Sequence, residues 1–144
     1  MVGAYEWSEF MRRNSGAGVA PQIMALAMDE PARFDPECLE NLCHRIGEVR
    51  AEAEVALALH RISEGLPKLA GLVNKDEATF LQEICQIARD AELIGMATLA
   101  RVAHSVRQCH ADADHVALGA TLARVQRVGE RSIHAVWDLE DLSG

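Results

Sequence analysis

Leu81-Gln82-Glu83-Ile84-Cys85-Gln86-Ile87-Ala88-Arg89-Asp90-Ala91-Glu92-Leu93-Ile94-Gly95 is the stretch on which the fold of this chain turns. Phe80 just ahead of it, and Ile84, Ile87, Ala88, Ala91 and Ile94 within it, recur at the three- and four-residue spacing of one face of an α-helix. Each residue turns the helix by about 100°. Measured from Ile84, Cys85 therefore falls on the flank of that face, with Gln82, Arg89 and Glu92 beside it. Gly95 can take the left-handed conformation that ends a helix without a Cβ penalty. A second apolar-periodic segment begins directly after it, so the stretch predicts helix, glycine turn, helix.

Upstream, Asp76 is a good cap for the helix that carries Cys85. The helix before it starts at Asp35 as N-cap, Pro36 at the first helical position and Glu37 at the positive end of the dipole. Phe34 is placed to pack on Leu39 as a staple. Its apolar stripe reads Leu39, Leu42, Ile46, Val49 and Ala53, then shifts to Leu59, Ile62, Leu66, Leu69 and Val73. Gly65 and Pro67 lie inside this pattern, and an interior proline removes a hydrogen bond and clashes with the preceding turn, so a kink is expected there and a stop at Asn74. Downstream, Leu99, Val102, Ala103 and Val106 mark a third helix, His110 to Asp114 a polar turn with a capping aspartate, and Leu118, Leu122, Val125, Val128, Ile133 and Val136 a fourth. Short connections make neighbours antiparallel. The expectation is an all-α, up-and-down four-helix bundle over residues 34–144. Residues 1–33 form an N-terminal helical extension, with short helices near 4–13 and 21–28 and with Tyr5, Trp7 and Phe10 as its bulky residues.

A chain of 144 residues is long enough for one domain with a real core, and 4% aromatics against 49% hydrophobic residues means an aliphatic interior, suited to packed helices. The net charge of −8 argues against nucleic acid and anionic membranes as partners. It leaves room for a protein partner. No apolar run reaches the length of a membrane-spanning helix and the start lacks the order of a signal peptide, so a cytoplasmic setting is expected, with the four cysteines as reduced thiols. Two clusters, His104 with Cys109, His110 and His115, and Cys38 with Cys43 and His44, lack zinc-site spacing, so no metal is assigned. No phosphate-cradling glycine loop or nucleophile elbow occurs, no cofactor is implied, and the chain reads as a non-enzymatic module.

The frame around Cys85 resembles the central motif of the histidine-containing phosphotransfer domains of two-component phosphorelays, roughly His-x-Leu-Lys-Gly-Ser-Ala-x-x-Leu-Gly. Aligned on the final glycine, Cys85 stands where the family has its phosphorylated histidine and Ile87 where it has leucine. Ala88 stands for the lysine, Arg89 for the first glycine, Ala91 for the alanine, Ile94 for the second leucine and Gly95 for the last glycine. The resemblance runs over residues 34–139 as helices of matching length. It implies the bundle described above and a receiver domain or histidine kinase as partner. The chemistry departs from the family. An imidazole is a good nucleophile near pH 7, whereas an ordinary cysteine thiol, with a pKa of about 8.5, is mostly protonated there. Cys85 reads as a phosphoacceptor or as a small apolar residue at the core edge, and the residue pattern favours the second. Arg89 either obstructs a receiver's approach or pairs with its aspartates. Gln82, Arg89 and Glu92 are the partner-binding candidates.

A second register aligns Ala103-His104-Ser105-Val106-Arg107-Gln108 with Ala-His-Thr-Leu-Lys-Gly, with Leu118-Gly119 as the turn. Asp112 to Asp114 interrupts that helix early. His60 and His44 have weaker local support. Three functional expectations follow. The first is a phosphorelay module that binds a receiver or kinase without phosphotransfer at the usual position. The second is an active phosphotransfer protein using His104. The third is a helical adaptor or homodimer unrelated to phosphorelays.

Overall fold

The computed structural model describes residues 35–143, with the side chains of 35–136. The expectations for the N-terminal extension, its aromatic residues and the Phe34 staple lie outside the described residues. The elements are α1 (Pro36–Ile46), α2 (Glu48–Gly65), a single 3-10 turn (Leu66–Lys68), α3 (Leu69–Leu72), α4 (Glu77–Leu93), α5 (Ala97–Ala111) and α6 (His115–Ser143). No strand occurs among the described residues. Three aspartates start helices as their sequence context predicts. Asp35 accepts the N–H of Glu37 with Pro36 in the first turn, Asp76 accepts the N–H of Thr79, and Asp114 accepts the N–H of Ala117.

The described residues form an all-helical fold, a four-helix bundle of α2, α4, α5 and α6. α2 packs on α4 and α6, and α5 packs on α4 and α6, which closes the ring. Side-chain pairs fix the directions. Arg61 and Lys68 of α2 and its extension meet Asp90 and Glu83 of α4, and Glu92 and Glu77 of α4 meet His104 and His110 of α5. In each set one number rises as the other falls, so the neighbours are antiparallel.

The first helix differs from expectation. The stripe from Leu39 to Ala53 predicts one continuous helix, but the chain breaks at Gly47, whose φ of 85° lies in the region that favours glycine. The break resets the helical phase. α2 buries Ala51, Val55, Ala58 and Ile62, while Val49 is 82% exposed and Ala53 faces solvent. α1 is therefore a separate element that packs on α2 and α4, with Leu39 and Leu42 inward. The expected kink at Gly65–Pro67 is the 3-10 turn, after which Leu69 is buried and Val73 begins the stop.

The interior is aliphatic, with Phe80 the single aromatic among the described side chains. The faces predicted for α4 and α5 are all buried, and α6 contributes Leu118, Val125, Val128, Ile133 and Val136. Each large aliphatic side chain moved out of water contributes about 1.5–3 kcal/mol, which makes these stripes the main source of cohesion. The α4–α5 turn is tight: Gly95 has φ 77°, and its carbonyl accepts the Asp35 N–H at 2.7 Å. A Cβ on Gly95 would collide with the Asp35 carbonyl. The start of α1 is thus fastened onto the turn that ends α4. No described helix is long and apolar enough to cross a membrane.

Candidate functional site

The outward stripe of α4 consists of Ala78, Gln82, Cys85, Arg89 and Glu92, spaced by three and four residues and opposite the buried face. Cys85 is at its centre, near the middle of the helix. Cys43 and Cys109 pack against the core from its edge, and Cys85 is not among the residues that do so. Its side chain is half-buried. The expectation of a core-edge position is corrected accordingly. Ala88, in the place of the family's lysine, is 2% exposed. That position is closed over and cannot present a cation to a partner.

Beneath the stripe lies a polar network that the sequence did not reveal. Asp90 is 2% exposed. It accepts from Arg61 Nε at 3.0 Å and Nη2 at 2.7 Å, and from Gln86 Nε2 at 3.1 Å. Arg89 Nη2 in turn donates to Gln86 Oε1 at 3.0 Å. The chain of contacts therefore runs from the exposed guanidinium of Arg89 through Gln86 to the buried carboxylate and across to α2. A buried carboxylate is tolerated only when its oxygens are satisfied, and Arg61 meets both of them. Arg61 and Gln86 also line an open groove between α2 and α4, with His60, Lys68, Gln82 and Glu83.

On the α5 side, His104 is exposed near mid-helix, and its Nε2 lies 2.6 Å from Glu92 Oε1. Val106, two residues on, is buried, while Arg107 and Gln108 are exposed. His104, Arg107 and Gln108 line a groove between α4 and α5 with Glu77, Leu81 and His110. Leu118 and Gly119, expected as the turn of the second register, lie inside α6. The turn is instead at Asp112–Asp114, with Ala113 at φ 55°. α4 ends at Leu93, eight residues after Cys85, and α5 ends at Ala111, seven after His104. The helix that carries His104 is thus interrupted at Asp112–Asp114, as the sequence indicates, before the Leu118-Gly119 turn that the second register needs.

α1 adds a third wall. Cys38, Asn41, His44 and Arg45 face Arg89, Glu92 and Leu93 across an open groove of about 630 Å³. Burial, and after it the Asp35 carboxylate to which the thiol hydrogen-bonds, pushes the Cys38 pKa up. Burial and then Glu48 do the same for Cys43. Neither is poised as a thiolate. All four cysteines are free, and no group of three or more His, Cys, Asp or Glu is placed to hold a metal among the described residues. His60, His44 and His115 lie apart on exposed positions of α2, α1 and α6. Of the partner-binding candidates, Arg89 and Glu92 share the α1–α4 groove and Gln82 lines the α2–α4 groove. Comparison of the chain with protein-family models, curated proteins and solved structures gives no match.

Proposed function

We propose that this chain is a cytoplasmic phosphorelay module of the histidine-phosphotransfer type. It binds a receiver domain or histidine kinase through the outward face of α4 and does not relay phosphate at the family's usual position. The observation that carries the reading is the place of Cys85. It occupies the centre of an outward stripe on the second helix of an antiparallel four-helix bundle, about two turns before the end of that helix and its glycine turn, where the resemblance puts the phosphorylated histidine. The nucleophile is absent there, Ala88 is buried, and Arg89 extends over the surface a receiver would approach. Binding without transfer is the function this arrangement supports.

The test is a panel of radiolabelled phosphorylated receivers. The native protein should bind at least one of them and acquire no acid-labile label. The double substitution Cys85→His and Arg89→Gly should acquire label, at a cost of about 1 kcal/mol of helix stability from the glycine. A panel that shows no binding to the native protein ends the proposal. A second reading is favoured by the exposure of His104, its contact with Glu92 and the accessible Arg107 three residues on. In that reading the phosphoryl group leaves a receiver aspartate for an imidazole nitrogen of His104. Label that survives Cys85→Ala and is lost with His104→Ala would establish it in place of the first.

A further inference from the structure

Glu92 and His104 meet across the α4–α5 pair, where both backbones are held. Glu92 is in the last turn of α4 beside buried Ala91, and His104 is beside buried Ala103 on α5. The tight turn at Gly95 joins the two helices. Within that frame Glu92 Oε1 lies 2.6 Å from His104 Nε2. No lysine or arginine pairs with Glu92 among the described residues. A carboxylate only accepts, so the proton of this bond is on Nε2. In the neutral ring the lone pair is then on Nδ1. No bond to Nδ1 occurs among the described residues, and 47% of the side chain stays exposed. His110, the other histidine opposite an α4 carboxylate, is not so arranged. Its Nε2 is 3.6 Å from Glu77, beyond hydrogen-bond reach, and its ring lies against Phe80.

We propose that Glu92 is a positioning residue that fixes the tautomer of His104, and that a phosphoryl group accepted by His104 is carried on Nδ1. The inference deepens the second reading above and rests on it for the choice of a phosphoryl group, whereas the tautomer rests on the geometry alone. The step balances without a base. The Nδ1 lone pair attacks phosphorus, the bond from phosphorus to the donor oxygen breaks, and the donor carboxylate leaves with the electron pair. The ring keeps its Nε2 proton and becomes a phosphorylated imidazolium. Glu92 faces the positive charge that develops there, so the contact strengthens as the bond from nitrogen to phosphorus forms. Arg107, three residues on and lining the α4–α5 groove with His104, offers paired donors to phosphoryl oxygens. Phosphorylation at Nε2 would require the Glu92 contact to break first.

The test incubates the full chain with phosphoramidate, a small phosphoryl donor that needs no protein partner, until the products stop changing. Proton–phosphorus correlation spectra in mildly alkaline buffer then identify the nitrogen. Phosphorus on Nδ1 couples through three bonds to Hε1 alone, and phosphorus on Nε2 couples to both Hε1 and Hδ2. His44, His60 and His115 are exposed and should carry phosphorus on Nε2, the nitrogen away from the Cβ branch. His104 should couple through Hε1 alone, and Glu92→Ala should move it to the two-proton pattern. A merely structural role for Glu92 would leave the nitrogen unchanged. Phosphorus on Nε2 of His104 in the native protein, no label on His104, or an unchanged pattern in Glu92→Ala would overturn the proposal. The two proposals fail separately. Label on Nδ1 from phosphoramidate with no transfer from any phosphorylated receiver removes the second reading and keeps this assignment, whereas transfer from a receiver to Nε2 of His104 does the reverse.

Discussion

Asp90 and Arg61 form the contact that most constrains a single-residue change. Arg61 keeps a third of its side chain exposed while Asp90 keeps 3%. Removing the guanidinium leaves a buried carboxylate with only the Gln86 amide. Arg61→Leu should cost about 3 kcal/mol, the low end for breaking a buried pair because one partner is partly hydrated, and adding Asp90→Leu should recover most of it. Urea denaturation of both variants checks this; equal destabilisation of the single and double variants would mean that pairing is not what Asp90 requires. The pair was not legible in the sequence. Asp90 reads as one more polar residue between Arg89 and Ala91, and its partner is 29 positions upstream. Cys85 was legible in principle. Measured from Ile84 alone it lies on the flank of the buried face. Measured from the whole buried set, from Phe80 to Ile94, it lies about 130° from the centre of that face, towards the outer side.

Helix starts were legible because capping is local chemistry, settled within three residues. Asp76 shows how far that locality reaches. Its carboxylate accepts from the Thr79 hydroxyl at 2.6 Å and from the Thr79 N–H at 3.1 Å. These two bonds, the hydroxyl first, hold its pKa below the usual carboxylate value. A group with a depressed folded pKa contributes its stability above the unfolded value, about 3.9 for aspartate, and loses it as the pH falls through the folded value. Asp76→Ala should therefore lower Tm at neutral pH, and its curve should converge on the native one on the acid side. A constant gap down to the lowest pH would mean that the carboxylate is not the source. The break at Gly47 was not legible for the opposite reason. Leu39, Leu42, Ile46, Val49 and Ala53 satisfy helical spacing without interruption, and periodicity cannot register a glycine that turns the chain between two equally apolar segments. Only the neighbours of α2 decide that Ala51 and Val55 face inward.

Across the whole molecule, the bundle follows from the order and phase of α4, α5 and α6, which bury the stripes their sequences display, with only Leu122 of α6 partly buried. The position of α1 depends on the burial of Leu39 and Leu42 and on one long-range backbone contact, Asp35 to Gly95. Gly95→Ala should be costly at both levels. The left-handed conformation penalises a Cβ by about 1–2 kcal/mol, and the collision with Asp35 requires α1 to shift. A loss of about 2–4 kcal/mol is expected from these terms together. Hydrogen exchange should quicken in α1 ahead of the other helices. Uniform quickening along the chain would show that α1 has no separate dependence on the turn.

That same fastening bears on the entropy of association. α1 is tied at its start to Gly95 and at its end to α2 through Gly47, so the wall carrying His44 and Arg45 is held at both ends before any ligand arrives. Ordering a mobile wall would subtract from affinity at the moment of binding. Here that ordering is completed during folding, and a visitor to the groove has only its own freedom to lose.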